Sequence, residues 1–263
     1  MTVSNPPLRG LRLFGAMCCL VLVAACASAP QEAASPPVEQ FVDGYGLIED
    51  DGYRLPGVPN EYLAEPNRRA IVTYTGDQPA GTIEIDPFSK FLFYVQDDGT
   101  ALRYPIAVGR EGRSLRGTVV IKRKEHWPGW TPTANMLRTE PEVYGDFAKG
   151  IPGGLKSPLG ARALYLYRGS RDTHYRIHGT NDLPSIGNSG SAGCIRMFNQ
   201  DIIDLFERVE LGTKVVIRNK EDAIRLEGEE VANRGVELEP KTVDPALIYN
   251  DEEIVEEEIA AVE

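Results

Sequence analysis

Histidine and cysteine are scarce in this chain of 263 residues, with three of the first and four of the second. So few imidazoles and thiols argue against a metal-built site. Basic residues are outnumbered, 28 Lys and Arg against 39 Asp and Glu, so no basic stripe suggests nucleic acid. Long apolar runs are missing as well. The one candidate, "LFGAMCCLVLVAAC" behind Arg9 and Arg12, has the length of a signal h-region and falls short of a spanning helix.

What is present is a 42% hydrophobic composition, ample for a core, with extensions at both ends. Residues 1–25 read as a signal peptide of lipoprotein type. "VAAC", Val23 to Cys26, resembles the lipobox in which the cysteine becomes the acylated first residue, while "ASA", Ala27 to Ala29, fits ordinary signal cleavage. The lipobox reading is preferred, with the chain held at a membrane through lipid on Cys26. Ala27, where Asp would hold a lipoprotein back, points to the outer membrane and a domain facing the periplasm. Residues 26–69 read as a Pro-rich linker and N-terminal extension, 70–218 as the main folded domain and 219–263 as an acidic tail.

Charge counted by region supports that division. From Glu221 to the end there are 15 acidic and 3 basic residues, a net of -12, whereas Cys26 to Lys220 holds 24 against 23. The central domain is near neutral, and "NDEEIVEEEIAAVE" reads as a solvated, disordered or weakly helical tail.

Between Gly81 and Lys124, turn residues separate the β-type runs "GTIEID", "FLFYVQ", "RYPIAVG" and "GTVVIKRK", with Asp97-Asp98-Gly99 placed as a hairpin loop. "HWPGWTPTANM" and "IPGGLKSPLG" are too rich in Pro and Gly for regular elements, and "ARALYLY", "HYRIHG" and "KVVIRN" add strands. One helix is expected from Asn199, taken as its N-cap, with Ile202, Ile203, Phe206 and Val209 at helical spacing. The fold class is therefore mainly β.

Processing removes Cys18 and Cys19 and lipidates or removes Cys26, which leaves Cys194 as the one free thiol. An unpaired cysteine in an oxidising compartment is either a small buried hydrophobe or a reactive group. His178 ends a strand just before Gly179 and is a candidate base, the bland alternative being a hydrogen-bonded strand-end histidine. His174 and His178 match HxxxH, but on a strand four residues span roughly 13 Å, too far to share one ion easily. No metal and no cofactor are expected.

The stretch "YRIHGTNDLPSIGNSGSAGCIRMFNQDIIDLFERVELGTKVVI" resembles the L,D-transpeptidases, the YkuD-like domain, whose pattern is HG, a spacer, then S/T-H-G-C with R or N shortly after. "RYPIAVGREG", "WPGWTPTANM" and "PGGLKSPLGARALYL" add to the resemblance, which covers roughly residues 81 to 218. It implies a β-sandwich-like catalytic domain with one main helix after the cysteine. It also implies Cys194 as nucleophile, His178 as proton acceptor and donor, and the Gly179 carbonyl as orienter of the imidazole. Ser191 and Gly193 belong by resemblance to the oxyanion and substrate-binding loop. Arg196 matches the family's basic residue, either holding a substrate carboxylate or forming a structural ion pair. One departure is Ala192 where the family often has His, which removes an auxiliary hydrogen-bonding group.

The implied substrate is a peptidoglycan stem peptide, and the acceptor an amine of a neighbouring stem or of an envelope protein. A hydrolase using the same site and a noncatalytic wall-binding lipoprotein are the alternatives. Mass spectrometry of the mature N-terminus is expected to show an acylated Cys26; a free amino terminus at Pro30 would instead mean cleavage after Ala29 and no lipid anchor.

Overall fold

Short runs of β-branched and aromatic residues become strands here because a pleated backbone sends successive side chains to opposite faces, and one face can then be buried. The computed structural model describes residues 1–2, 39–109, 115–190, 194–239, 241 and 243. In chain order the strands are β1 (Glu39–Phe41), β2 (Ile48–Asp50), β3 (Tyr53–Leu55), β4 (Ala70–Thr73), β5 (Ile83–Asp86), β6 (Phe91–Val95) and β7 (Thr100–Pro105). They continue with β8 (Ala107–Val108), β9 (Gly117–His126), β10 (Arg162–Arg168), β11 (Arg171–His178), β12 (Ile195–Arg196) and β13 (Lys214–Ile217). The α-helices are α1 (Ala134–Thr139), α2 (Pro141–Tyr144), α3 (Asn199–Arg208) and α4 (Lys220–Glu227).

The protein is mainly β. Eleven strands form one sheet in the order β1-β4-β7-β6-β5-β13-β9-β10-β11-β12-β8, and β2 and β3 form a separate hairpin. β7 lies near one end of that order and β8 at the other, although only Ile106 separates them in the chain. Such an order requires the sheet to curl back on itself, and the enclosed face is the core. Ile83, Ile85, Leu92, Tyr104, Ile121, Leu164, Ile177 and Ile195 supply it from the strands, and Ile202, Leu205 and Phe206 of α3 close it. Each such side chain contributes about 1.5–3 kcal/mol by leaving water, so these positions fix which face of each strand turns inward.

The expected strands are present in their places, and β6 and β7 pair antiparallel around Asp97-Asp98-Gly99, with Gly99 at a φ of 82°. Three details differ from the sequence reading. Asn199 is the first residue of α3 and not its cap; Phe198 holds the cap position without a side-chain hydrogen bond. Part of "HWPGWTPTANM" is helical, because Thr133 caps α1 by accepting from the Met136 N–H at 3.2 Å. The chain after 218 forms α4, capped by Asn219, whose side chain accepts from the Asp222 N–H at 2.8 Å.

Residues before 70 also pack as structure. β1 adds to the sheet edge beside β4. Asp50 of β2 takes both guanidinium nitrogens of Arg162 at 2.6 Å and the Trp127 indole N–H at 2.7 Å. Tyr45 donates to the buried Asp201 of α3 at 3.2 Å, and the Arg69 guanidinium lies 3.1 Å from Asp204. These polar ties carry the extension onto the helix that follows the cysteine.

Arg218, at the end of β13, is buried at 2% exposure and gathers three carboxylates: Glu84 at 2.7 Å, Asp86 at 3.4 Å and Glu227 of α4 at 2.5 Å. Glu84 and Asp86 are themselves buried, so the guanidinium is what makes two neighbouring negative charges tolerable. Replacement Arg218→Met keeps the bulk and removes the charge. Urea unfolding is expected to show a loss of about 3–5 kcal/mol, the cost of breaking a buried charge network from one side.

Candidate active site

The site begins with two glycines. Gly160 precedes β10 and Gly179 follows β11, and both lie against the side chain of Asn199. A Cβ on either would stand 2.0–2.1 Å from Asn199 Oδ1, so neither position admits a larger residue. The same oxygen accepts from the Ala161 N–H at 2.9 Å, and the amide nitrogen faces the Thr180 carbonyl at 3.4 Å. Asn199 thereby fastens the start of α3 to the ends of both strands.

β11 and β12 run parallel, with Ile177 opposite Ile195 and His178 opposite Arg196. Cys194 immediately precedes β12, so the sheet brings the end of one strand and the start of the other together. Cys194 is half-buried and in no disulfide, and its carbonyl accepts from the Gly109 N–H at 3.3 Å.

His178 is 4% exposed, and its Nδ1 lies 2.5 Å from the Gly179 carbonyl oxygen. A carbonyl only accepts, so Nδ1 holds the proton and Nε2 keeps the lone pair. Burial, followed by the positive charge of Arg196, pushes the imidazole down to about 3 against the pull of the Gly179 carbonyl. The ring is therefore neutral at neutral pH, the form that can take a proton.

A cavity of about 490 Å³ is lined by His178, Cys194 and Arg196, with Trp130, Tyr144 and Arg176 among its walls. Arg196 donates to Asp182 at 3.0 Å, and Asp182 is buried. Arg196 thus makes an ion pair while it faces the cavity. His174, at a φ of 62°, lines the same cavity. Ser191, Ala192 and Gly193 lie outside the described residues, as does Cys26.

Several of these residues are invisible to a reading of local sequence. Trp130 and Tyr144 come from the segment between β9 and β10, with their rings 6.1 Å apart. Asp182 and Asn199 sit in the region of resemblance but gain their meaning only from partners fourteen to thirty-eight residues away. The local sign of the Asn-Gly-Gly contact is an asparagine at the head of a helix, which by itself reads as a cap.

The YkuD model, described as an L,D-transpeptidase catalytic domain, matches residues 80–217. The chain belongs to that family. Among relatives of this L,D-transpeptidase family member, the YkuD protein of Bacillus subtilis (strain 168) is 50% identical over 172 residues, which cover 65% of this chain and 77% of that protein. "Probable L,D-transpeptidase ErfK/SrfK" of Escherichia coli (strain K12) is 32% identical over 196 residues, 69% of this chain and 59% of that protein. For "Probable L,D-transpeptidase YbiS" of the same strain, 36% identity over 128 residues covers 48% and 40%. The chain thus spans about half the length of these two Escherichia coli relatives. A Brucella melitensis crystal structure described as a probable carnitine operon oxidoreductase is 48% identical, covering 60% of this chain and 99% of its own. Its TM-score of 0.41 is too low for the superposition to inform the chemistry.

The depressed imidazole has a consequence for stability. In the unfolded chain a histidine titrates near 6.5, in the fold His178 titrates near 3, and between those values only the unfolded state takes up the proton. Stability therefore falls as pH drops through that window. Urea unfolding at about pH 7 and about pH 5 is expected to show the wild type losing about 2 kcal/mol more than His178→Gln, which lacks the titration.

Proposed function

We propose that this chain is a cysteine-dependent L,D-transpeptidase acting on the stem peptides of peptidoglycan. The observation that carries the reading is the shared cavity: the half-buried Cys194 and a neutral, carbonyl-oriented His178 open into one space, from neighbouring parallel strands. Family membership gives that pair its reaction class.

In the first transfer, the Cys194 sulfur attacks the carbonyl carbon between the third residue of a tetrapeptide stem and its terminal D-alanine, while His178 Nε2 takes the thiol proton. As the tetrahedral intermediate collapses, the carbon–nitrogen bond breaks and the imidazolium returns that proton to the departing amine. The products are a thioester on Cys194 and free D-alanine. An acceptor amine then attacks the thioester, His178 takes its proton, and the proton passes to the sulfur as the thiol re-forms.

A base depressed to about 3 does not ionise a thiol at rest. Proton transfer belongs with carbon–sulfur bond formation, when negative charge gathering on the substrate oxygen favours the imidazolium. Backbone N–H groups around Ser191 and Gly193 would receive that oxygen, a role that rests on the family resemblance. The acceptor is the side-chain amine of a neighbouring stem, giving a 3-3 crosslink, or an amine of an envelope protein.

A location is proposed from the lipobox, independently of the reaction. A lipid on Cys26 would tether the domain to the outer membrane, facing the periplasm where the wall lies. Among the described residues no helix is long and apolar enough to cross a membrane.

Incubation of the purified chain with disaccharide-tetrapeptides, followed by mass analysis, is expected to show D-alanine loss and amine-dependent crosslinked products. Cys194→Ser should abolish turnover, because a hydroxyl is far harder to activate. Near wild-type crosslinking by a folded Cys194→Ser chain would overturn the assignment, and loss of D-alanine with no amine-dependent product would reveal a hydrolase.

A further inference from the structure

The family match ends at residue 217, yet the chain beyond it returns to the loop that leads into Cys194. After α4, the Lys220 ammonium reaches Asn233 Oδ1 at 2.6 Å. Arg234 donates to Asn67 at 3.1 Å and lies over the Phe91 ring at 4.1 Å. From there the chain runs beside residues 187–190. The Val236 N–H donates to Asn188 Oδ1 at 3.0 Å, the Ser189 N–H to the Val236 carbonyl at 2.9 Å, and the Leu238 N–H to the Ser189 carbonyl at 2.6 Å. The fit is tight: a Cβ on Gly235 would stand 2.3 Å from the Gly187 carbonyl oxygen, and one on Gly190 would stand 2.7 Å from Leu238 Cβ.

This strap ends at the cavity. Lys241 is one of the lining residues, together with Cys194 and His178, and its ammonium lies 3.4 Å from Asp182 Oδ1. The other oxygen of Asp182 receives Arg196 at 3.0 Å. One buried carboxylate thus faces two cations at the cavity wall, Arg196 and Lys241. Asp182 Oδ1 has no hydrogen bond, so charge alone holds Lys241 there, and the lysine side chain is 50% exposed. Arg176, the other cation on this wall, is already matched by both oxygens of Asp172 at 2.7 and 2.8 Å.

We propose that Lys241 is a ligand-binding residue of the cavity, delivered from outside the family domain by the strap, and that it recognises a carboxylate of the entering peptide. A long, flexible ammonium suits this work, since it can turn from Asp182 toward a ligand oxygen without leaving either charge uncompensated. That the ligand is a stem peptide rests on the reading given under Proposed function. The carboxylate could belong to the D-alanine end of the donor or to the diaminopimelate residue of either peptide, and the test separates these sources.

The experiment measures binding, not turnover, by calorimetry on the Cys194→Ala chain. The probes are the tetrapeptide with all carboxylates free and versions amidated at one carboxylate at a time. Adding Lys241→Gln is expected to weaken the free peptide about tenfold, or about 1.4 kcal/mol. The same change should leave unaffected the one amidated peptide that lacks the recognised group, and Lys241→Arg should restore most of the affinity. An equal loss for every peptide, no loss at all, or no measurable binding of the free peptide would overturn the proposal. An unchanged melting temperature would show that Lys241→Gln is folded. A wild-type chain that binds in this way but turns nothing over would sink the transpeptidase reading and leave the lysine's role standing.

Discussion

The side-chain amide of Asn199 is the contact on which the site depends. It lies against two glycines, takes the N–H of Ala161 and faces the carbonyl of Thr180, so it locks the beginning of β10, the end of β11 and the first turn of α3 to one another. Gly179 must be glycine for the amide to fit, and its carbonyl is the group that fixes the proton on His178 Nδ1. Packing and proton placement are consequently one constraint. The helix also anchors the N-terminal extension through Asp201 and Asp204, which extends the same support to residues far from the cavity.

The balance around His178 favours the neutral ring, although the Gly179 carbonyl pulls the other way. Burial and the cation at Arg196 both disfavour the imidazolium, and Arg196 is itself kept in place by Asp182. The resting site therefore stores no separated charge on its histidine.

Much of this was readable in the residues themselves. Short β-type runs such as "GTIEID" and "FLFYVQ" mark strands, Asp-Asp-Gly marks the hairpin, and "HG" with "GSAGCIR" carries the family resemblance. Local sequence does not show meaning that lies in distant partners. Asn199 read as a cap because local sequence offers no sign of Gly160 and Gly179. Residues 26–69 read as a Pro-rich linker and N-terminal extension, and from Glu39 on that extension carries an edge strand and a hairpin, tied to Arg162 and Asp201 more than a hundred positions away. The acidic count after Glu221 was correct, yet it averaged over α4 and the strap, whose few apolar and basic residues do the packing: Ala223 and Ala232 are buried and Arg234 covers Phe91.

The parallel pairing of β11 with β12 bears on how such an enzyme can change through descent. Ile177 and Ile195 are held side by side by the ladder, so the intervening loop does not set the distance between His178 and Cys194 through its own length. Doubling a flexible loop costs only about 0.6 kcal/mol in closure entropy, whereas a one-residue slip within the ladder would turn every side chain to the wrong face. The stretch from Thr180 to Ser185 is no such loop: it is buried, with Asn181 bonded to the Leu155 carbonyl and Asp182 to Arg196, so a change of length there disturbs the site as a shift of register would. The ladder thus holds His178 and Cys194 at neighbouring strands independently of the other residues that line the cavity.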